Sequence, residues 1–546
     1  MFAEVVILSN KTGSNSQTYT YDCSGFEITP GQLVKIPFGN KIYFGITTSV
    51  TIKTHLKQTK KISEVYGKTP IINSQQLIFF THLAKHYYGA LSDIIKLTLP
   101  QIAIRQLKTL DQIASTNKFR QTELILVPSD NQIPTIISSL RTDNYIIYSK
   151  TDTPTVRFLK YFQILNGNVQ TVISTRSGVL LPLKNLSKIT IYHEEDFSYQ
   201  EERAPYYNAI KAAEIRCTLS PSSKLELISS SPSLASFYER LPNLKIIPIT
   251  KPQNLKIISV KYQLGSGVQS GLLTLIAINE IKTQIENQKS ILLFINRTSP
   301  KGFLFCLSCQ HKQFLAKPVE DCPNCHSPRI RFSSPNLATL YAEVTKLFPK
   351  SKIGILDSKT KPDFRSNIFL ATKSALYLSP PEKIGLTVII NTDDLFYPFN
   401  FNSEMSGFQT LRRLVSIPSN NYILQSKNPD NLQIDRILKP QPEQFLIEQL
   451  RLRKSFNLPP FTNCMYIFLE GKNHKLLIKK SQKILRAIKE LKGNFSFGET
   501  LVTKKSQTEI FSLCLTIFHA ELHAFAIITE ILPASSTIKI NYYDTK

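Results

Sequence analysis

Two series of short apolar, β-branched segments, each alternating with stretches of helical character, constrain the fold of this chain more than any other feature. The first series begins near residue 122 and runs through TELILVPS, NYIIYSK, NVQTVISTR, KITIY and LELISSS. The second begins near residue 256 and runs through LKIISVKY, KSILLFINR, SKIGILD, SNIFLAT, LTVIINTDD and NNYILQSK. Buried strands that alternate with helices predict a parallel sheet of βαβ units. The chain is therefore predicted to be an α/β protein with two tandem lobes.

The segments on either side of these lobes have other patterns. Residues 1 to about 100 contain the strand-like runs EVVIL, QTYTYD, QLVKIPFG and YFGITTSV, separated by TPG and FGN turns and followed by one helical stretch. They predict a small β-rich unit closed by a helix. The final segment opens with a helical stretch, breaks at LPPF and continues as strand, helix and strands. It is predicted to form a compact α+β domain.

The helical sequence HKLLIKKSQKILRAIKELK in this last domain is amphipathic. Its apolar side carries Leu477, Ile484, Ile488 and Leu491. Its basic side carries Lys475, Lys479, Lys483 and Arg486. A basic stripe of this kind is either a solvated face or a phosphate contact, and both interpretations stay open.

Two pairs of cysteines interrupt the second lobe. Twelve residues separate the first CxxC pair from the second, and the pairs consist of Cys306 with Cys309 and Cys322 with Cys325. Two CxxC turns can aim four thiolates at one point, which is the ligand set of a tetrahedral structural Zn²⁺. A redox role is the alternative, but redox CxxC motifs normally occur singly beside a βαβ pattern. We predict one structural zinc ion.

Four thiolates leave no open coordination position for water, so the metal is expected to be structural and not catalytic. His311 and His326 lie close to the cysteines in sequence. Because the site is already closed, both histidines are expected to be solvated loop residues. The remaining cysteines are predicted to be small core residues: Cys23, Cys217, Cys464 and Cys514.

The charge balance raises the expectation of a polyanionic partner. Lysine and arginine outnumber aspartate and glutamate by 66 to 40, for a net charge of +26 and a pI near 9.6. Nucleic acid is the first candidate, and a merely solvated lysine excess is the alternative. The N-terminal sequence has no basic region typical of a secretion signal, and no run approaches the roughly 18 apolar residues of a membrane helix. A cytoplasmic protein without a membrane partner is expected, and its thiols should stay reduced.

Seven segments together resemble one protein family, primosomal protein N′, the PriA family of replication-restart helicases. They follow the family's order along nearly the whole chain: GQLVKIPFGNKIYFGI (31–46), LAKHYYGALSDIIKLTLP (83–100), ISTRSGVLLPLKNL (173–186), EEDFSYQEERAPYYNAIKAA (194–213), SSSPSL (229–234), SILLFINR (290–297) and RKSFNLPPF (453–461). The resemblance implies a DNA-binding, zinc-containing, ATP-driven helicase that recognises abandoned replication forks.

The resemblance also implies four domains. An N-terminal domain that resembles a 3′-DNA-end-binding module is expected over 1–105, and a degenerate helicase lobe over 106–250. A second degenerate lobe is expected over 251–440, with a zinc-binding insert at about 300–332. The α+β domain follows over 441–546. Of the family's four CxxC pairs, which bind two zinc ions, this chain keeps what resemble the first and the last, and in the family those two pairs share one metal.

Three parts of the family's ATPase site are missing. A phosphate-binding loop needs glycines, a lysine and a hydroxyl, but the corresponding segment LPQIAIRQLKTLDQIASTNKFRQ contains no glycine and is also too short for the family's winged-helix domain. The family's Asp-Glu-Glu-His becomes Tyr192, His193, Glu194 and Glu195. If the strand were shifted by two residues, Glu194 and Glu195 would take the place of the missing acids. A shift of that size would, however, move both carboxylates past the position where the metal would lie.

The third missing part is a Gly-Arg-x-Gly-Arg element, whose arginines stabilise the γ-phosphate transition state in the family. Here FQTLRRLVSIPSN passes straight into the next strand. Arg412 and Arg413 lie nearby, and we interpret them as surface or DNA-facing residues. Because phosphoryl transfer depends on all three parts, ATP and Mg²⁺ are not expected as cofactors, and no catalytic residue is assigned.

The resemblance implies a pocket for a 3′ end at Tyr19, Thr20, Gly39 and Lys60. The aromatic ring can stack a terminal base, and the glycine lets backbone approach the sugar. Thr20 replaces the acid that would accept a hydrogen bond from the 3′-hydroxyl. The alternative is that Tyr19 is an ordinary strand aromatic.

Taken together, the residues favour a non-catalytic DNA-binding protein of replication restart, which binds fork or single-stranded DNA and acts as a primosome scaffold. Two alternatives stay open. One is an active ATP-dependent 3′–5′ helicase with a divergent nucleotide site. The other is a protein-interaction adaptor that no longer binds DNA.

Overall fold

The computed structural model describes most of the chain in two compact units. The described residues are 1–8, 18–56, 58–100, 121–140, 142–260, 271–296, 302–315, 319–333, 335–356, 363, 365–373, 376, 384–396, 401–432, 434–491, 494–498, 501–504, 510–533 and 536–541. The first unit combines Met1–Lys245 with Ile447–Asp544, and the second comprises Ile246–Leu446. The boundaries predicted at 105, 250 and 440 stay predictions.

The N-terminal region is a rolled six-stranded sheet. Its strands are β1 (Phe2–Ile7), β2 (Tyr19–Asp22), β3 (Leu33–Phe38), β4 (Lys41–Thr51), β5 (Lys60–Lys61) and β6 (Glu64–Tyr66). Their order is β5-β2-β1-β4-β3-β6. Between β5 and β6 the chain crosses from one end of the sheet to the other, because Ile62 N donates to Asp22 O and Ser63 N donates to Lys35 O. The interior of the roll holds a small apolar cluster that includes Val5, Ile36 and Ile62.

Two helices, α1 (Ser74–His86) and α2 (Leu91–Thr98), follow this sheet. The sequence predicted one helical stretch here. The helix stops because Tyr88 adopts a left-handed backbone (φ 50°), and the next amide, Gly89 N, bonds back to Ala84 O at 3.0 Å. Such a turn satisfies carbonyls that a helix end leaves unpaired.

The first lobe is a parallel sheet, as the alternating pattern predicted. Its strands are β7 (Thr122–Leu126), β8 (Tyr145–Tyr148), β9 (Thr171–Ser174), β10 (Leu186–Tyr192), β11 (Lys224–Ser229) and β12 (Leu244–Ile246). Its helices are α3 (Ile133–Ser139), α4 (Pro154–Leu165), α5 (Ala209–Leu219) and α6 (Leu234–Glu239). The strand order is β12-β11-β10-β7-β9-β8, and β7 pairs in parallel with β9 and β10.

The second lobe begins with β13 (Leu255–Ser259), α7 (Leu275–Glu286) and β14 (Ile291–Phe294). An antiparallel insert follows, with β15 (Gly302–Cys306), β16 (Lys312–Leu315) and β17 (Ile330–Ser333). The lobe continues with α8 (Leu337–Leu347), β18 (Ile353–Leu356), β19 (Ile368–Ala371), β20 (Ile384–Ile389), α9 (Ser403–Ser416), β21 (Ser419–Ser426) and α10 (Ile434–Ile437). Its own sheet has the order β13-β21-β20-β14-β19-β18.

The two parallel sheets repeat one strand order. In the first lobe five strands run β8-β9-β7-β10-β11, and in the second the corresponding five run β18-β19-β14-β20-β21. If the five strands of each lobe are numbered by their sequence order, leaving out the insert, both sheets read 2-3-1-4-5 from edge to edge. The two lobes therefore share one architecture. The cysteine-bearing insert lies in the second lobe, in the connection between β14 and β18, the first and second strands of this set.

The C-terminal region is an antiparallel sheet with helices, as predicted. Its elements are α11 (Glu443–Ser455), β22 (Asn463–Gly471), α12 (His474–Glu490), β23 (Ser496–Phe497), β24 (Leu501–Lys504), β25 (Phe511–His519), α13 (Phe525–Ile531) and β26 (Thr537–Ile540). One core cluster joins it to the N-terminal helices and the first lobe, with Phe80, Leu126 and Ile467 as members. Within the described residues, no helix is long and apolar enough to cross a membrane.

Candidate metal centre and DNA-end site

The four CxxC cysteines meet at one point. Their Sγ atoms all lie within 4.8 Å of one another. The Sγ atoms of Cys306 and Cys325 are 3.6 Å apart, and those of Cys309 and Cys322 are 3.7 Å apart. Zn–S bonds of about 2.3 Å in a tetrahedron place sulfurs about 3.8 Å apart, whereas a disulfide would need about 2.05 Å. The cluster therefore fits a metal ion, and its thiolate donor set is the one that zinc takes.

Both CxxC turns have the same backbone conformation. Cys306 N donates to His311 O and Gln310 N donates back to Cys306 O. The second turn has the same two hydrogen bonds at the same spacing: Cys322 N donates to Ser327 O, and His326 N donates to Cys322 O. Gln310 and His326 both have positive φ, 59° and 54°. The repeated turn brings each pair of thiols to the same side of its loop.

Hydrogen bonds favour the thiolate form of two of these cysteines, whereas at Cys325, against the backbone N–H of Ser327, hydrogen bonding with the other thiols raises the pKa. The backbone N–H of His311 and the side chain of Asn324 lower the pKa of the Cys309 thiol to about 6. The backbone N–H of Cys309 lowers the pKa of Cys306. Metal ligands must be deprotonated, so these donors assist binding. Neither His311 nor His326 belongs to the cluster found among the described residues, as the closed four-thiolate site predicted.

The rolled N-terminal sheet brings three of the four predicted DNA-end residues together at one mouth. The Tyr19 ring packs edge-on against Phe38, with ring centroids 4.8 Å apart, and Phe38 in turn contacts Tyr43 at 6.3 Å. Gly39 follows Phe38 in the tight turn between β3 and β4, with φ at +57°. Lys60 Nζ donates to Gly39 O at 3.2 Å.

Open space surrounds this turn. A Cβ added at Gly39 would meet nothing within 4 Å, so the glycine is required by its positive φ and not by a neighbouring side chain. The Lys60 ammonium is exposed at the same rim. The mouth thus offers partly exposed aromatic rings beside a cation, and these are the two groups that bind single-stranded nucleic acid.

Thr20 lies outside this group. Adjacent residues of a strand point to opposite faces, and Thr20 points away from the interior that Tyr19 and Tyr21 face. It stands opposite Glu4 in the register of β1 and β2, and Thr20 Oγ1 donates to Glu4 Oε1 at 2.5 Å. The sequence does not show this pairing, because nothing in the EVVIL run indicates which residue its acid will face.

Lysines around the N-terminal sheet are exposed, as a DNA-facing surface requires. Lys53, Lys60 and Lys61 are all exposed, while Lys57 lies outside the described residues. A second basic surface lies on α12. Its apolar side is buried at Leu477, Ile484 and Ile488 and half-buried at Leu491, and its exposed side carries Lys475, Lys479, Lys483 and Arg486. The amphipathic pattern predicted this division.

The strand β10 ends where the sequence predicted, and its acids are already bonded. Glu194 is buried and accepts hydrogen bonds from Ser233 N, Ser233 Oγ and Ser236 Oγ at 2.7, 2.9 and 2.7 Å. Glu195 accepts from Ser229 Oγ at 2.6 Å and from Ser231 Oγ at 3.1 Å. Burial raises the pKa of Glu194. Both carboxylates therefore hold the SSSPSL segment in place.

The interpretation of Arg412 and Arg413 as surface or DNA-facing residues is wrong, because both are buried. Arg412 is fully buried and donates to the carbonyl oxygens of Ile437, Lys439 and Pro440 at 3.0, 2.5 and 3.1 Å. Carbonyl oxygens at the end of a short helix lack hydrogen-bond donors within the helix. The Arg412 guanidinium supplies these donors. The helix α9 ends at Ser416 and β21 begins at Ser419.

The architecture defines a class of protein: a rolled β domain, two parallel-sheet α/β lobes with one strand order, a four-cysteine insert that could hold a metal ion and an α+β domain. Residues 5–100 match the family model of the PriA 3′ DNA-binding domain. The chain is similar to the replication restart protein PriA of Rickettsia conorii, with 22% identity over 84% of this chain and 86% of the relative. PriA of Thermotoga maritima is 23% identical to this chain over a region that covers 69% of this chain and 57% of the relative.

The chain is thus similar to replication restart proteins named PriA over most of its length, and residues 5–100 match a domain of that family. Among solved structures, RecG bound to a three-way DNA junction overlaps with 70% of this chain and 47% of its own, at a TM-score of 0.34 and 11% identity. That overlap is too loose to carry any argument, and the comparison rests on the match over residues 5–100 and the similarity over most of the chain.

Proposed function

We propose that this protein acts in replication restart as a DNA-binding, non-catalytic scaffold, which holds fork or single-stranded DNA for other primosome or replisome proteins. One observation carries the proposal above the others: residues 5–100 match a 3′ DNA-binding domain, and the mouth of that domain presents Tyr19, Gly39 and Lys60 together. The replication restart proteins to which it is similar share most of its length.

Charge supports DNA as the partner. The net charge of +26 is large, and exposed lysines occur on the N-terminal sheet and on α12. Lysines that neutralise phosphates release counterions, so affinity for single strands should fall with salt, with a log–log slope of about −0.7 per contact. We expect contacts with the sugar–phosphate backbone to provide most of the affinity and the aromatic mouth to select strand ends.

Three observations support the absence of ATP hydrolysis. The segment before β7 contains no glycine, although most of it lies outside the described residues. Tyr192 and His193 occupy the end of β10 in place of acids, while Glu194 is fully engaged by serines. Only two residues separate α9 from β21, which leaves no room for an arginine-bearing loop. Phosphoryl transfer needs all of these parts positioned together.

In this proposal zinc is a structural element of the second lobe. Cys306, Cys309, Cys322 and Cys325 would hold one ion, which would order the insert and leave no coordination site for chemistry. The insert has only three short strands, so the metal is expected to supply much of its folding energy.

Binding and hydrolysis measured side by side test the proposal. The full chain should bind a fork with a free 3′ end more tightly than an end-free duplex, and release neither ADP nor GDP with or without DNA. Mg²⁺- and DNA-dependent turnover that persists through repurification would favour the helicase alternative. Absence of any salt-sensitive DNA affinity would favour the adaptor.

Two variants locate the binding surface. Tyr19→Ala should weaken end-containing substrates by about 1–3 kcal/mol if a base stacks on the ring. Lys60→Ala should weaken binding and flatten the salt slope by up to about 0.7. Tyr341→Ala and Lys282→Ala are the matched controls, because both side chains are exposed on helices of the second lobe. Equal effects of all four substitutions would exclude the N-terminal mouth as the binding site.

A further inference from the structure

The connection between β4 and β5 presents two large apolar side chains to solvent. This β4–β5 loop comprises residues 52–59. Ile52 is 81% exposed, the highest value for a large apolar side chain among the residues that the structure describes, and Leu56 is 54% exposed. Phe2 pairs with Thr51, so the exposed Met1 lies at the same end of the sheet as Ile52. Exposed apolar side chains that lie close together indicate a surface that a partner covers.

Two threonines fix the backbone that carries these side chains. Thr51 Oγ1 donates to Lys53 O at 3.2 Å, across Ile52. Leu56 N donates to Thr54 Oγ1 at 3.2 Å. Each apolar residue therefore belongs to a bend that a hydrogen bond closes. A loop that is already held in one conformation loses less entropy when it binds a partner.

The charge of the loop fits a polyanion. From Thr51 to Ser63 the chain has four lysines, one histidine and no acid, and Lys53 and His55 are both exposed between the two apolar residues. On the neighbouring strand β2, Asp22 pairs with Lys61 in the sheet register and accepts a hydrogen bond from Ser24 N at 2.8 Å. Cations that hold phosphates and apolar side chains that separate base steps are the combination with which proteins enter a base stack.

The position of the loop also favours DNA. The loop leads into Lys60, whose Nζ donates to Gly39 O at the mouth of the sheet. A DNA strand held at the mouth would bring its base-paired partner strand close to the loop. An anionic lipid surface is the other partner that combines negative charge with an apolar interior, but one myristoyl chain binds membranes only marginally. Ile52 and Leu56 together have fewer side-chain carbons than such a chain, so nucleic acid fits the loop better.

We propose that the β4–β5 loop binds the base-paired arm of a fork and inserts Ile52 and Leu56 at a base step, which it partly unstacks. Lys53 would hold an adjacent phosphate. The proposal rests on the proposed function, because it assumes that the N-terminal sheet binds DNA, but it concerns the duplex arm and not the strand end. Pyrimidine–purine steps unstack most easily, so the loop should prefer them without any hydrogen bond to a base edge.

Fluorescence of 2-aminopurine tests the insertion, because this base analogue brightens when it unstacks. Forks that carry the analogue at a TA step of the duplex arm, next to the junction, are titrated with the full chain. The wild type should raise the fluorescence at least about threefold. Ile52→Ser combined with Leu56→Ser should abolish most of this rise and leave the salt slope unchanged, because no cation is removed. Ile52→Met combined with Leu56→Met should keep the rise, because methionine also serves as an apolar wedge.

Affinity provides a second measurement, by fluorescence anisotropy. The wild type should bind the fork with the TA step about two- to fivefold more tightly than a fork with a stiff A-tract at that place, and the double serine variant should bind both equally. Lys53→Ala should flatten the salt slope by up to about 0.9. Ile276→Ser is the matched control, because Ile276 is an exposed isoleucine at the start of α7 in the second lobe; it should behave as the wild type.

Salt-sensitive fork binding without a fluorescence rise in the wild type would overturn the insertion and leave the proposed function intact. A rise that survives in the double serine variant, or that is lost in the methionine variant, would also overturn it. The same conclusion follows if the double serine variant loses binding to vesicles of phosphatidylcholine and phosphatidylserine while its fork binding and fluorescence rise are unchanged. Absence of salt-sensitive binding to every fork would instead remove the proposed function, so the two failures are distinguishable.

Discussion

Replacing Glu194 tests whether the strand-end acids have become structural. The carboxylate is buried at 4% exposure and accepts three hydrogen bonds from Ser233 and Ser236. Ser233 is also the N-cap of α6, because its hydroxyl accepts from Ser236 N. Glu194 therefore anchors both the SSSPSL segment and the start of the next helix.

The size of the effect follows from which donors lose a partner. In Glu194→Ala the two hydroxyls can rotate toward other acceptors, but the backbone N–H of Ser233 cannot. A buried donor left without a partner costs about 1–3 kcal/mol, so a loss of about 2–3 kcal/mol in unfolding free energy is expected. Glu194→Gln keeps a carbonyl acceptor and removes the cost of burying a charge, so it should stay within about 1 kcal/mol of the wild type.

The pH dependence separates the charge from the hydrogen bonds. Burial raises the pKa of Glu194 in the folded state above the value of about 4.3 of an unfolded glutamate. Between these two pKa values the folded state binds the proton more strongly, so its stability falls as pH rises. Relative to Glu194→Gln, which does not titrate, the wild type should therefore lose stability from about pH 4 upward and level off above the folded pKa.

Urea unfolding followed by circular dichroism is the suitable assay, because the chain has no tryptophan. Glu226→Gln is the matched control: Glu226 is a half-exposed acid of β11 whose partner is Lys188, and its loss should change stability by less than about 0.5 kcal/mol. Two results would refute this reasoning. One is an unfolding free energy of Glu194→Ala within about 0.5 kcal/mol of the wild type. The other is a wild type whose stability relative to Glu194→Gln increases as pH rises.

Three further predictions concern other parts of the chain. Elemental analysis should find one zinc ion in the wild type, and Cys322→Ser should release it and loosen the second lobe in limited proteolysis; absence of zinc from wild-type protein purified under reducing conditions without chelator would contradict this prediction. Arg412→Met should lower the unfolding free energy by about 2–4 kcal/mol, because three buried carbonyls lose their donor; a neutral result in urea unfolding would show that they find other partners. Lys479→Glu combined with Lys483→Glu should weaken single-strand binding and flatten its salt dependence, while Lys282→Glu should not; equal effects would reduce the α12 stripe to a solvated face.

The features that the sequence predicted are those whose signal is local. Two CxxC turns each place their thiols by backbone conformation within about six residues, so the spacing from Cys306 to Cys325 was enough to predict one four-thiolate site. The parallel lobes follow from alternating buried strands and helices. The buried and exposed sides of α12 follow from its periodicity of 3.6 residues. Each of these signals survives without knowledge of which distant segments meet.

Local patterns did not reveal where charged side chains find their partners. Arg412 appeared to belong to an exposed stretch, and only the fold brought the carbonyls of the residue 437–440 segment to its guanidinium. Glu194 appeared to be a misplaced metal ligand, and only the fold set it against Ser233. A buried charge must be paired or hydrogen-bonded, but the partner is chosen by packing across tens of residues.

The mouth of the N-terminal sheet shows the same division. The sequence by itself determined that Tyr19, Thr20, Gly39 and Lys60 occur in the family's order, and the strand and turn that hold them were predictable. The tertiary structure alone decided that the rolled sheet brings Lys60 to Gly39, and that strand register sets Glu4 opposite Thr20. Register depends on the pairing of distant segments, and a shift of one residue would turn Glu4 to the opposite face of the sheet.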